Sequence, residues 1–134
     1  MTINEEIITF KDLRSIKIVR KDSDIQELLL ITDILISDYS SVICDYVLLE
    51  RPILLYTYDY DEYINHRGIY YSNLEDIAPG PLIYSFKELI DAIRNIEGRF
   101  NKYKLKAKEI RNYFNKYHDN KSTERLLKFL KLIK

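Results

Sequence analysis

Asp33-Ile34-Leu35-Ile36-Ser37-Asp38-Tyr39-Ser40-Ser41-Val42-Ile43-Cys44-Asp45-Tyr46 is the stretch whose reading decides the fold. The apolar run 34–36 breaks abruptly into Ser37-Asp38-Tyr39-Ser40-Ser41. Apolar residues then resume at helical spacing, at Val42, Ile43, Tyr46, Val47 and Leu49. A short aliphatic run bounded by polar residues reads as a buried strand. Ser40 or Ser41 suits a helix N-cap, because a hydroxyl there accepts from an otherwise unpaired first-turn amide. The stretch therefore predicts a strand, a tight polar loop and a helix over 40–49. Free amides and the positive end of a helix favour an anion at such a junction. In an open parallel sheet, ligands also lie beyond the carboxyl ends of the strands.

On the amino-terminal side, 1–15 is weakly patterned and carries no predicted element, and 16–19 is a short strand candidate. Ser23 and Asp24 each precede a Gln or Glu by three, a capping signature for an apolar helix over 25–31. On the carboxyl-terminal side, Pro52 drives its predecessor out of helix. Residues 53–56 are apolar throughout, as befits a strand covered on both faces. Alternating strands and helices with short joins argue for an α/β fold with a parallel sheet. The tyrosine-rich, acidic run 58–65 predicts a short helix or turn, followed by a small apolar segment at 69–71. Ala78-Pro79-Gly80-Pro81 is a loop. Residues 82–84 form a last strand, and Ser85-Phe86-Lys87-Glu88 is a capping box opening a helix to about residue 96. Past Gly98 the pattern turns helical: Phe100, Tyr103, Ala107, Ile110, Phe114 and Tyr117 recur on one face. After a turn at 119–121, Ser122 or Thr123 is a cap for a final helix with the stripe Leu126, Leu127, Leu130 and Ile133.

Length and composition set the outer limits. With 134 residues, 46% of them hydrophobic, the chain suffices for one core and not for two ordinary domains. The expectation is a single domain over 1–134, with 99–134 a helical carboxyl-terminal extension. The 21 basic and 21 acidic residues cancel, so no overall field draws nucleic acid. The basic residues between 99 and 116 read as a solvated helix face. Cys44, the single cysteine, cannot form an internal disulfide and reads as an inert thiol within a helix. No amino-terminal signal pattern is visible, and no apolar run approaches the ~20 residues a spanning helix needs. The expected location is cytoplasmic, with peripheral placement at the inner face of the cell membrane if another segment carries the chain there. Neither histidine has metal-site spacing, so no metal and no cofactor are expected.

Ser37-Asp38-Tyr39-Ser40-Ser41 followed by Asp45-Tyr46 resembles the central motif of the CDP-glycerol glycerophosphotransferases, the teichoic-acid primases and polymerases. Arg51-Pro52-Ile53, Tyr56-Thr57-Tyr58-Asp59, Tyr63, Arg67-Gly68-Ile69-Tyr70-Tyr71 and Ala78-Pro79-Gly80-Pro81-Leu82 follow in the order and spacing of that family. The resemblance runs from about Ser23 to Arg125. It implies the carboxyl-terminal, donor-binding half of a GT-B transferase: a Rossmann-like parallel sheet with carboxyl-terminal helices. The implied donor is CDP-glycerol or a related CDP-polyol, and the implied acceptor a lipid-linked polyol phosphate. The implied reaction is metal-independent attack of an acceptor hydroxyl on the donor β-phosphorus, releasing CMP. A separate amino-terminal half is an implied partner.

A diphosphate needs several donors around it. Ser40 and Ser41 meet that need, although a serine pair also simply caps helices. Arg67 suits bidentate phosphate contact, or else pairs with Asp61 or Glu62 on the surface. Gly68 beside it permits close approach or positive φ. The resemblance places Thr123 and Arg125 at the donor phosphates as well. Asp38 and Asp45 are supporting residues, Asp38 orienting loop amides and Asp45 positioning a neighbour, since a carboxylate would repel a diphosphate. Pro79 and Gly80 shape the wall near the nucleotide base. The family's base candidate belongs to a His-Pro dipeptide that this sequence lacks, so the catalytic residue stays unassigned. Ser72 and Asn120 depart from the family pattern of an acidic residue and a glycine. A nucleotide-sugar glycosyltransferase fragment, or a non-catalytic donor-binding or interaction remnant, are the alternative readings.

Overall fold

The computed structural model describes residues 16–68, 73–117 and 119–133. In chain order come α1 (Ile25–Ile31), β1 (Leu35–Ser37), α2 (Val42–Tyr46) with a 3-10 turn over Val47–Leu49, and β2 (Ile53–Tyr56). They are followed by α3 (Tyr60–His66), α4 (Leu74–Ile77), β3 (Leu82–Ile83), α5 (Phe86–Arg94), α6 (Ile96–Phe114) and α7 (Ser122–Phe129). The three strands form one parallel sheet in the order β1-β2-β3. Leu35 pairs with Ile53, and Leu55 with Leu82.

The central strand shows why the sheet is covered on both faces. Side chains alternate along a strand, so Ile53 and Leu55 enter one core with Leu29, Tyr46, Val47 and Ala78. Leu54 enters the other, with Ile83, Leu89 and Ala92. Helices α1, α2 and α6 thus cover one face, and α5 the other. Each fully buried aliphatic side chain contributes roughly 1.5–3 kcal/mol of transfer free energy, so β2 is the fold's densest stabilising element.

The joins follow from local chemistry. Asp24 caps α1, accepting from the amide of Gln26 at 2.8 Å. The Arg51 guanidinium donates to the carbonyls of Leu30 at 2.8 Å and Thr32 at 2.7 Å, tying off the carboxyl end of α1. The fully buried Tyr46 donates its hydroxyl to the same Thr32 carbonyl at 2.8 Å. Glu50 takes the left-handed conformation (φ 52°) that ends the α2 segment, and pairs with Arg111 of α6. Gly80 is buried against β2, where any Cβ would overlap the Ile53 carbonyl oxygen. Ser85 caps α5 as expected, accepting from the Glu88 amide at 3.3 Å, while Glu88 reaches back to the amide of Tyr84 at 2.9 Å.

Several expectations need correction. Residues 16–19 form no strand; they are exposed and find no strand partner among the described residues. The helix expected over 40–49 is one α-turn running into a 3-10 turn, because the chain must reverse before Pro52. Gly98 is no boundary. It lies in the first turn of α6, where the Asn95 side chain packs over it. Tyr117 lies beyond the end of that helix and is exposed. Neither Ser122 nor Thr123 caps α7: its cap position is Lys121, and the Ser122 hydroxyl accepts from Arg125 instead. The α7 stripe is largely exposed at Leu126 and Leu130. Helix α4 has no counterpart in the sequence reading. The apolar segment at 69–71 and Ser72 lie outside the described residues. No described helix is long and apolar enough to cross a membrane.

Candidate functional site

The loop between β1 and α2 emerges at the carboxyl end of the sheet and opens onto a cavity of about 370 Å³. Asp38, Tyr39, Ser40 and Ser41 form one wall. Ile43 and Cys44 of α2, Leu55 of β2 and Phe114 of α6 form the inner, apolar side. Tyr63 and Gly68 close it from α3, and Leu74, Ile77, Ala78 and Pro79 from the α4 side.

The polar wall has donors to spare. Ser41 makes no side-chain capping bond, and the Ser40 hydroxyl accepts from the Val42 amide only at a long 3.4 Å. The amides of Ile43 and Cys44 are already committed to the carbonyls of Ser40 and Ser41. The backbone amides of Ser40 and Ser41 have no hydrogen-bond partner among the described residues. Since α2 is so short, its dipole is weak. The loop amides and hydroxyls, rather than a helix end, are what this wall offers an anion.

Tyr39 fixes the loop in place. Its hydroxyl donates to Asp59 Oδ1 at 3.0 Å, and its ring stacks on Tyr63 with centroids 3.7 Å apart. Burial first, then the Asp59 bond, holds the phenol far above its usual ionisation range, so it remains a donor. Gly68 ends α3 with φ 69°, its amide donating to the Ile64 carbonyl at 3.1 Å. A side chain there would meet nothing, so backbone conformation rather than space calls for glycine. Asn115 ties α6 to the cavity floor by donating to the Cys44 carbonyl at 2.9 Å. Burial, with Asp45 nearby, pushes the Cys44 thiol up, away from the reactive thiolate.

Of the residues singled out in the sequence, Ser40, Ser41, Asp38, Gly68 and Pro79 meet at this one cavity. Five others do not line it. Asp45 is exposed on α2. Gly80 lies behind the wall, packed on β2. Arg67 is exposed at the end of α3 and makes no ion pair with Asp61 or Glu62. Thr123 is exposed on α7. Arg125 is held by Asp119 through contacts of 2.8 and 3.1 Å, and lies 3.9 Å over the Tyr117 ring. The sequence reading missed the Tyr39–Asp59–Tyr63 cluster and the apolar wall of Leu74, Ile77 and Phe114. Periodicity cannot join Tyr39 to Asp59 across 20 positions, although the tyrosines and the aspartate all stand within the quoted motifs.

Comparison with known proteins gives the same direction. Residues 2–132 match the family described as CDP-glycerol:poly(glycerophosphate) glycerophosphotransferase. The chain is similar to the teichoic acid ribitol-phosphate polymerase TarK of Staphylococcus aureus, 36% identical over 107 residues, covering 80% of this chain and 20% of that protein. It is 41% identical over 104 residues to the teichoic acid glycerol-phosphate primase of Bacillus subtilis, covering 78% of this chain and 26% of that one. Among solved structures, a variant of the wall teichoic acid polymerase TagF soaked with CDPG superimposes with a TM-score of 0.69 at 32% identity, over 83% of this chain and 28% of that one. The chain thus spans between a fifth and somewhat over a quarter of these proteins' length, and it shares the GT-B-like fold of TagF.

Proposed function

The chain belongs to the CDP-glycerol:poly(glycerophosphate) glycerophosphotransferase family, and from that premise we propose that it supplies the donor-binding surface of a polyol-phosphate transferase. The donor is CDP-glycerol or a related CDP-polyol, seated in the serine-walled cavity at the carboxyl end of β1. The observation that carries this is the meeting of Ser40, Ser41, Asp38, Gly68 and Pro79 around one cavity with an apolar inner side. That combination suits a ligand with a nonpolar ring at one end and phosphates at the other. The chain acts in this as one unit over 1–134, its part beyond residue 99 a helical extension.

In the reaction, an acceptor hydroxyl oxygen bonds to the donor β-phosphorus. The bond from that phosphorus to the bridging oxygen breaks, and CMP leaves with the electron pair. The hydroxyl proton passes to a base supplied outside the cavity wall. Ser40 and Ser41 donate to phosphate oxygens, where charge builds up in the transition state. Arg67, Thr123 and Arg125 belong to a second rank of phosphate contacts, supported by the sequence resemblance alone. The acceptor is a lipid-linked polyol phosphate, which sets the work at the inner face of the cell membrane. A partner segment completes the acceptor side.

Calorimetric titration with CDP-glycerol tests the reading. Binding is expected, and Ser41→Ala weakens it about tenfold by deleting a hydroxyl donor to a charged group. Arg125→Ala, titrated in parallel, weakens it if the second rank reaches the phosphates. A folded chain that takes up no CDP-glycerol, or a Ser41→Ala variant that binds as well as the parent, overturns the assignment.

A further inference from the structure

Helix α3 begins at a residue whose side chain is turned away from it. Asp59 holds the cap position of α3 and is of a type that caps well, yet it makes no capping bond. Asp24, Asn73 and Ser85 do make theirs, accepting from the amides of Gln26 at 2.8 Å, Glu75 at 3.0 Å and Glu88 at 3.3 Å. Those three take the extended backbone typical of a cap residue. Asp59 lies outside it, at φ −108° and ψ 24°. Its Oδ1 instead accepts from the Tyr39 hydroxyl at 3.0 Å, across 20 positions of chain.

Tyr63 follows one turn along α3 and meets the same tyrosine. Its ring stacks on that of Tyr39 with centroids 3.7 Å apart and an interplanar angle of 17°. Positions four apart lie one above the other on a helix, so α3 grips Tyr39 twice from one side, by hydroxyl and by ring. Little else holds this helix down. It is seven residues long, and none of them is buried. Its other ring contact among the described residues is Tyr60, packed edge to face with Tyr84 at 6.2 Å. An isolated helix of that length is unstable in water. A cap would therefore matter here, and the helix does without one.

We propose that Asp59 is a positioning residue for the serine-walled cavity, its carboxylate drawn from the α3 cap to the Tyr39 hydroxyl so that the loop gains order and the helix loses it. Asp59 does not line that cavity; it acts through Tyr39, which does. The two segments are thereby linked in opposite senses. Whatever frees Asp59 from Tyr39 loosens the loop and returns the carboxylate to the amides of Asp61 and Glu62, in the first turn of α3. That the ordered loop serves CDP-glycerol rests on the donor reading. The exchange of Asp59 between two sets of donors does not.

Amide exchange of the ¹⁵N-labelled chain, read residue by residue in three variants, tests this. Tyr39→Phe keeps the ring stack and deletes only the hydroxyl. It should speed exchange at Ile43 and Cys44, whose amides bond the carbonyls of Ser40 and Ser41. At Asp61 and Glu62 it should slow exchange about fivefold, the effect of gaining a cap. Asp59→Ala should speed the loop amides equally without slowing those of α3. The double variant should match Asp59→Ala at both places, since the two residues share one bond. CDP-glycerol affinity should fall about fivefold in Asp59→Ala, although that side chain lies off the cavity. Exchange that quickens in both segments of Tyr39→Phe, or slows in α3 of the double variant, overturns the proposal; a merely structural bond would loosen both sides together. Unchanged affinity in Asp59→Ala, beside normal binding by the parent, overturns it too. A parent chain that takes up no CDP-glycerol, with the opposed exchange response intact, overturns the donor reading and leaves the linkage through Asp59 standing.

Discussion

Gly80 presses its backbone onto β2 so closely that the space a side chain would need is filled by the Ile53 carbonyl. The obstacle is backbone rather than a movable side-chain tip, so β2 or the 78–81 loop has to shift to admit a methyl group. Gly80→Ala should cost about 1–3 kcal/mol, the usual range for overpacking a tight site. Urea unfolding with an unchanged m-value would read this directly, and a loss under ~0.5 kcal/mol would show that the loop yields freely. The glycine was visible in the sequence as part of Ala78-Pro79-Gly80-Pro81, and its loop was correctly placed. Its reason was not visible, because the oxygen it avoids belongs to a strand 27 positions earlier. Tyr39 is a similar case: it stands inside the motif that carried the resemblance, yet its partners Asp59 and Tyr63 come from beyond β2. Ser40, Ser41 and Asp38 were legible because one turn of chain delivers them together. Gly68 and Pro79 reach the same cavity from later elements, and only the resemblance had linked them to it.

Among the elements, β2 was read to the residue, since a strand buried on both faces is a run of apolar residues between breakers. Helix α1 was equally clear from its cap and apolar run. Glycine punctuation misled at Gly98, because a glycine in a helix's first turn costs little where neighbouring side chains pack over it. Helix α1 also exposes how short elements persist. Seven residues are too few for an isolated helix in water, so α1 depends on contacts made by others. Leu29 enters the core, and Arg51 closes off the carbonyls of Leu30 and Thr32 from the far side of α2. Arg51→Ala removes both charge-assisted bonds and should cost about 1–2 kcal/mol. Amide exchange should rise over Ile25–Ile31 first and leave β2 protected. Uniform acceleration across the chain would argue that Arg51 supports the whole sheet and not the end of one helix.

At the scale of the whole molecule, formal charge cancels and the fold instead buries or partners phenols. Tyr39, Tyr46 and Tyr84 all have hydroxyls pushed above their ordinary value of 10, in each case chiefly by burial. The Cys44 thiol moves in the same direction from 9. A raised pKa means that the folded chain keeps its protons when the unfolded chain has begun to release them. Above the unfolded values the unfolded state therefore binds fewer protons, and stability falls as pH rises. Below about pH 8, where both states stay protonated, these groups leave the curve flat. The expected profile is a urea midpoint steady from pH 7 to 8 that slips slightly toward pH 9 as the unfolded thiol ionises and drops progressively from pH 9 to 11. Tyr39→Phe removes the phenol with the largest shift and, at a constant offset below pH 9, should make the alkaline decline shallower. The same substitution also releases the loop between β1 and α2 from Asp59, so the proposed CDP-glycerol affinity, measured at pH 7.5, should fall while the core stays folded. A Tyr39→Phe profile parallel to the parent from pH 7 to 11 would mean that Tyr39 ionises alike in both states. The alkaline loss would then lie with Tyr46, whose hydroxyl is committed to the Thr32 carbonyl, together with Tyr84 and Cys44.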